Sequence, residues 1–178
     1  RLAPRELRIT APGIEHTVAL GYGLLGELAG AVDARGLGRP AVVVVDVNYD
    51  FVGDKPEPIM KSIERWRYSC GEAGWRGVHA IADLIAAARR KRVPIVYTTV
   101  EHRADGFDYG RDRDKNFRTG EATSVVGAKG PEMPAEIAPK HEDIVISKKK
   151  ASGFFGTPLA SYLVDLGVDT LLVTGTST

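Results

Sequence analysis

Residues 40–48 read PAVVVVDVN. Four consecutive valines leave both alternating faces of the segment apolar, and the run is too short for a buried helix. It therefore predicts a strand covered on each side, as in the middle of a parallel sheet. Pro40 opens the strand and Asp46 closes it at the carboxyl end, the edge at which open α/β sheets carry their ligands.

The flanking sequence repeats the theme. Val78, Ile81, Ala82, Leu84, Ile85 and Ala88 recur at helical spacing from about Arg76 and run into the basic ARRKR, which suits a helix C-terminus. IVYTTV (95–100), DIVISK (143–148) and DTLLVTG (169–175) read as further strands, and TPLASYLVDLG (157–167) as a helix stopped by Gly167. Strands alternating with helices imply right-handed crossovers and an α/β fold, a three-layer Rossmann-like arrangement with a mostly parallel central sheet. Residues 48–77 and 101–142 read as long loops, of a length that is usually functional or oligomeric. Residues 1–39 read as an N-terminal extension, with GLLGELAGAVDARGLG (23–38) a glycine-interrupted helical arm.

Composition narrows the function. The 178 residues, 43% hydrophobic, suffice for one ordinary core. Twenty-four Lys and Arg against 23 Asp and Glu give a net charge of +1, without the global field that draws nucleic acid or an anionic membrane. The longest apolar runs fall far short of the roughly 20 residues of a membrane span. A single cysteine excludes an internal disulfide framework and fits a reducing cytoplasm.

Several motifs compete for chemistry. GYGLLG (21–26) matches the dinucleotide fingerprint by letter, but IEHTVAL ahead of it is a poor buried strand, so nucleotide binding is disfavoured. Asp46 is either a site acid or a capped turn residue. Lys148, Lys149 and Lys150 follow the DIVIS strand; at least two are expected to be solvated surface, while one can sit beside Asp46 and tune a proton transfer. VTGTST after the last strand offers backbone N–H groups and hydroxyls to the same crevice. Acid, lysine and donor-rich turn suit acyl-transfer hydrolysis but lack a nucleophile. Cys70 lies far in sequence from every strand end. His16, His79, His102 and His141 show no metal-ligand spacing, although His102 follows IVYTTV closely enough to line the crevice.

VVVVDVNYDF, VPIVYTT, VISKKKASGFFGTPLASYL and GVDTLLVTGTST, in this order from Pro40 to Thr178, resemble the isochorismatase-like cysteine hydrolases, and within them the N-carbamoylsarcosine and maleamate amidohydrolases. The resemblance implies a catalytic pair: Asp46 as general base and Lys148, at the K-x-x-A-S position, as its partner. It implies an oxyanion hole at Thr176 and Ser177, where the family holds a cis peptide. Asn48, Tyr49 and Phe154 become candidate walls of a substrate pocket. The family's nucleophilic cysteine would follow Thr178 within a few residues, so residues 40–178 are expected to be the N-terminal part of one hydrolase domain. No cofactor and no metal are implied, since the D-x-H of the metal-dependent nicotinamidases is missing after Val100. The implied activity is hydrolysis of a small amide or carbamoyl (ureide) C–N bond through a thioester, with release of ammonia. Vinyl-ether hydrolysis without a cysteine, as in isochorismatase itself, and a non-catalytic binding role remain alternatives. A homo-oligomer is implied too, with the loop of Trp66, Tyr68 and Trp75 as the candidate contact.

Overall fold

A computed structural model of the chain describes residues 5–11, 14–20, 38–110 and 123–176, the first two stretches as backbone only. The contacts divide into two units, residues 1–37 and residues 38–178. In the first, β1 (Arg5–Ala11) pairs antiparallel with β2 (Ile14–Leu20), in a register running from Arg5 opposite Leu20 to Ala11 opposite Ile14. IEHTVAL is thus a strand of a two-stranded antiparallel ribbon. The fingerprint GYGLLG and nearly all of the expected helical arm lie outside the described residues.

The second unit is built on β3 (Pro40–Val45), β4 (Ile95–Val100), β5 (Ile144–Lys148) and β6 (Thr170–Gly175), hydrogen-bonded in the order β5-β4-β3-β6 with every pairing parallel. The chain steps outward from β3 to β4 and β5, then crosses back to place β6 on the other side of β3. The direction of winding therefore reverses between β3 and β6, the kind of point at which open α/β sheets place their ligands.

The valine run divides between two cores. Val42 and Val44 meet Ile95, Tyr97 and the long helix α3 (Glu72–Arg90), which contributes Trp75, Val78, Ile81, Ile85 and Ala88. Ala41 and Val43 meet Val96 and Ile146 on the opposite face, under Leu159 and Leu163 of helix α4 (Leu159–Asp165). This is the three-layer arrangement expected from the sequence, with the main sheet wholly parallel.

The stretch 48–77 is more ordered than its composition suggests. Asn48 caps a single helical turn, α1 (Tyr49–Val52), by accepting the Phe51 N–H; a second turn, α2 (Ile59–Ser62), follows; and α3 begins at Glu72, four residues ahead of the expected start. Gly74 hid that start, because glycine inside a helix reads as a breaker. Its absent side chain is a packing device: a Cβ there would crowd Val52 at 3.3 Å. Trp75, expected at an oligomer contact, is 5% exposed and belongs to the core, whereas Trp66 lies against Tyr49 and Tyr68 against Phe51. Among the described residues no helix is long and apolar enough to cross a membrane.

Candidate active site

At the end of β3 the backbone does something costly. Asp46 adopts a φ of 55°, the left-handed region that a non-glycine residue enters at a price of about 1–2 kcal/mol. The flip turns its carboxylate out of the strand's alternation and toward the neighbouring strand ends. Its backbone is pinned on both sides: its N–H donates to the Thr98 carbonyl (3.0 Å), and its own carbonyl accepts from Thr176 Oγ1 (3.0 Å). A Cβ on Gly175 would collide with the Val45 carbonyl oxygen, so glycine is what lets β6 end close enough for that Thr176 bond.

Lys148 is the last residue of β5, two strands away, and it crosses the end of β4 to reach the acid. Its Nζ lies 2.8 Å from Asp46 Oδ2, and its side chain is 1% exposed. Thr98 Oγ1 donates to Asp46 Oδ1 at the long distance of 3.5 Å. Burial raises the Asp46 carboxyl above the usual carboxylate range; Lys148 and, to a lesser extent, Thr98 oppose the rise without cancelling it. A carboxylate so placed is a stronger base than one in water, while the adjacent ammonium limits how far it drifts toward the neutral acid.

The other expected site residues separate into groups. Asn48 is fully buried, and its amide is committed at both ends: Nδ2 donates to Thr99 Oγ1 (3.2 Å) while Oδ1 caps α1. The Thr99 hydroxyl in turn donates to the Pro131 carbonyl (2.9 Å). Asn48 therefore ties the end of β4 to α1. Tyr49 stands beside Trp66 and under Lys129 Nζ, 4.8 Å from its ring centre. Phe154 is more than half exposed on the loop after β5. Ser177, with the peptide bond that joins it to Thr176, lies outside the described residues. Cys70 sits in the bend before α3, its N–H bonded to the Phe51 carbonyl.

The sequence places His102 near the strand end but not the partners it meets there. His102, two residues past β4, is buried; its Nδ1 lies 3.3 Å from Asp108 Oδ1, and its ring stacks on Tyr109 at 4.1 Å. Desolvation lowers the histidine's pKa against the pull of Asp108, which keeps the ring neutral near pH 7. The clue was present in the short spacing from the strand to His102 and on to Asp108, but no local rule pairs residues across a loop. Among the described residues no three His, Cys, Asp or Glu side chains converge to hold a metal ion.

Comparison with known proteins bears on this geometry. The isochorismatase domain model matches residues 40–178. The chain belongs to the isochorismatase family. Over 91 residues, half of the chain, it is 35% identical to an N-carbamoylsarcosine amidase of an Arthrobacter species, covering 34% of that protein. Over 140 residues it is 26% identical to an Arabidopsis thaliana protein described as a probable inactive nicotinamidase, covering 78% of the chain and 66% of the plant protein. A crystal structure of an isochorismatase family protein from Desulfovibrio vulgaris superposes with a TM-score of 0.64 at 33% identity, over 78% of this chain and 67% of that one. The chain thus spans between a third and two thirds of the length of the curated relatives it matches. Membership of the isochorismatase family accounts for the all-parallel sheet with helices on both faces.

Proposed function

We propose that this isochorismatase family chain carries the acid–base half of a cysteine-dependent amidohydrolase that cleaves a small amide or carbamoyl (ureide) C–N bond and releases ammonia. The observation that carries the reading is the buried Asp46–Lys148 pair, 2.8 Å apart, at the point where the sheet reverses its winding. A carboxylate raised by burial and steadied by a lysine is suited to move one proton back and forth.

In the proposed reaction Asp46 accepts the proton of a cysteine thiol, which the family resemblance puts after Thr178. The thiolate attacks the substrate carbonyl. The oxyanion so formed is held by N–H groups of the Thr176–Ser177 turn. As the tetrahedral intermediate collapses, its C–N bond breaks, Asp46 returns the proton to the leaving nitrogen, and ammonia departs from a thioester. Asp46 then takes a proton from water as the water attacks the thioester carbonyl; the C–S bond breaks, the acid product leaves, and Asp46 returns the proton to the thiolate. Lys148 keeps the carboxylate ionised between steps.

A panel of small amides and ureides, assayed for released ammonia with the complete gene product, tests the reading. Turnover of at least one, lost in Asp46→Asn, is the expected result. A second reading, a non-catalytic protein on this fold, is favoured by the plant relative described as inactive. Tight binding of an amide that is never hydrolysed would support that reading and overturn the first.

A further inference from the structure

The three adjacent lysines have three different jobs. Lys148 Nζ has a second partner besides Asp46: the Lys150 carbonyl, at 3.2 Å. An ammonium held by one carboxylate alone can pivot about it, and a second acceptor fixes its direction. Lys150 lies two residues past the end of β5, so its carbonyl must be held by something other than the strand. Its own side chain reaches across to the turn Phe107–Tyr109, where Nζ donates to the Tyr109 carbonyl at 2.9 Å and approaches that of Asp108 at 3.4 Å.

That turn is itself anchored. The Tyr109 hydroxyl donates to the Thr123 carbonyl (2.7 Å), its ring stacks on His102, and Asp108 accepts the Arg103 N–H (3.1 Å). Lys149 grips the same turn differently: its Nζ donates to the Glu101 carbonyl and lies 3.7 Å from Asp108 Oδ2, with a side chain 44% exposed.

We propose that Lys150 is a positioning residue for the Asp46–Lys148 pair: by fastening itself to the Asp108–Tyr109 backbone it holds the carbonyl that aims the Lys148 ammonium at Asp46. Its catalytic consequence rests on the function proposed above; its structural consequence does not. The groups facing Asp46 include the Lys148 ammonium and the Thr98 hydroxyl, and those gripped by Lys150 include the carbonyls of Asp108 and Tyr109.

Carbonyl-carbon NMR of aspartate-labelled full chain, with the Asp46 signal assigned through Asp46→Asn, reads the effect directly. In Lys150→Met the Asp46 titration is expected to move to higher pH as the ammonium loosens. Lys149→Met, which removes the same charge one residue away, is expected to leave it in place. With a substrate in hand, Lys150→Met should lower kcat roughly tenfold at little-changed KM, because it disturbs aim rather than binding. An Asp46 titration identical to wild type in Lys150→Met, or shifted equally by Lys149→Met, overturns the proposal whether or not amides are hydrolysed. A shift confined to Lys150→Met in a protein that hydrolyses nothing upholds the positioning and counts against the enzymatic reading alone.

Discussion

The Asp46 side chain is expensive to keep where it is. Its backbone is left-handed, its carboxyl is desolvated, and the lysine that steadies it is buried as well. Local strain and buried charge in one residue are what a folding sequence avoids unless the position has another use. If Asp46 works as a base, it must be ionised, so the acid limb of kcat/KM falls above the ordinary value of 3.8, in the direction that burial pushes the group. Lys148→Met removes the charge that opposes the rise. It is expected to move this limb further up in pH and to lower kcat/KM at neutral pH by on the order of a hundredfold. A pH–rate profile with an unmoved limb would separate Lys148 from the acid's titration. Asp46→Asn, by contrast, is expected to leave no residual limb, only background hydrolysis.

Among the elements, β6 decides whether the site closes. Gly175 lets its end approach β3, and Thr176 then bonds the Asp46 carbonyl. Gly175→Ala sets a methyl against the Val45 carbonyl, a backbone atom that cannot rotate away. A destabilisation of about 1–3 kcal/mol is expected, read as a lower denaturant midpoint, together with a larger loss of activity than of stability, because the strand end carries Thr176 with it. The strands themselves were legible because β-branched runs with turn signals leave little alternative: Pro40–Val45, Ile95–Val100, Ile144–Lys148 and Thr170–Gly175 fall where the sequence puts them. The turns α1 and α2 were not legible, since four residues hold no period, and their order comes from tertiary bonds such as Tyr49 N–H to the Glu132 carbonyl. For the site, Asp46 and Lys148 could be named because strand ends and a family motif mark them. The support from Thr98, Thr99 and the His102–Asp108 turn could not, because each contact joins residues brought together only by the fold.

For the molecule as a whole, the ion pair that suits chemistry is a poor source of stability. Asp46 and Lys148 are both nearly enclosed, and a carboxyl whose folded pKa lies above its unfolded value holds its proton more tightly in the native state. The sign follows from proton binding: between 3.8 and the folded value the native chain binds more protons than the unfolded one, so this group's contribution to stability falls as pH rises through that window and stays at its lowest above it. Breaking the pair from one side strands the other charge. Lys148→Met alone is therefore expected to destabilise residues 38–178 by about 3–5 kcal/mol at pH 7, and Asp46→Leu by a similar amount. The double variant Asp46→Leu/Lys148→Met, which removes both charges, is expected to recover most of the loss and to match or exceed the parent while being inactive. Chemical denaturation of the four proteins at pH 7 and again near pH 4 closes the cycle. Additive losses at both pH values would mean that the two charges do not sense one another, and the site would have to be rebuilt around other residues. Recovery at pH 7 that shrinks near pH 4, where the parent's Asp46 takes up a proton, is the pattern that a desolvated and coupled pair requires.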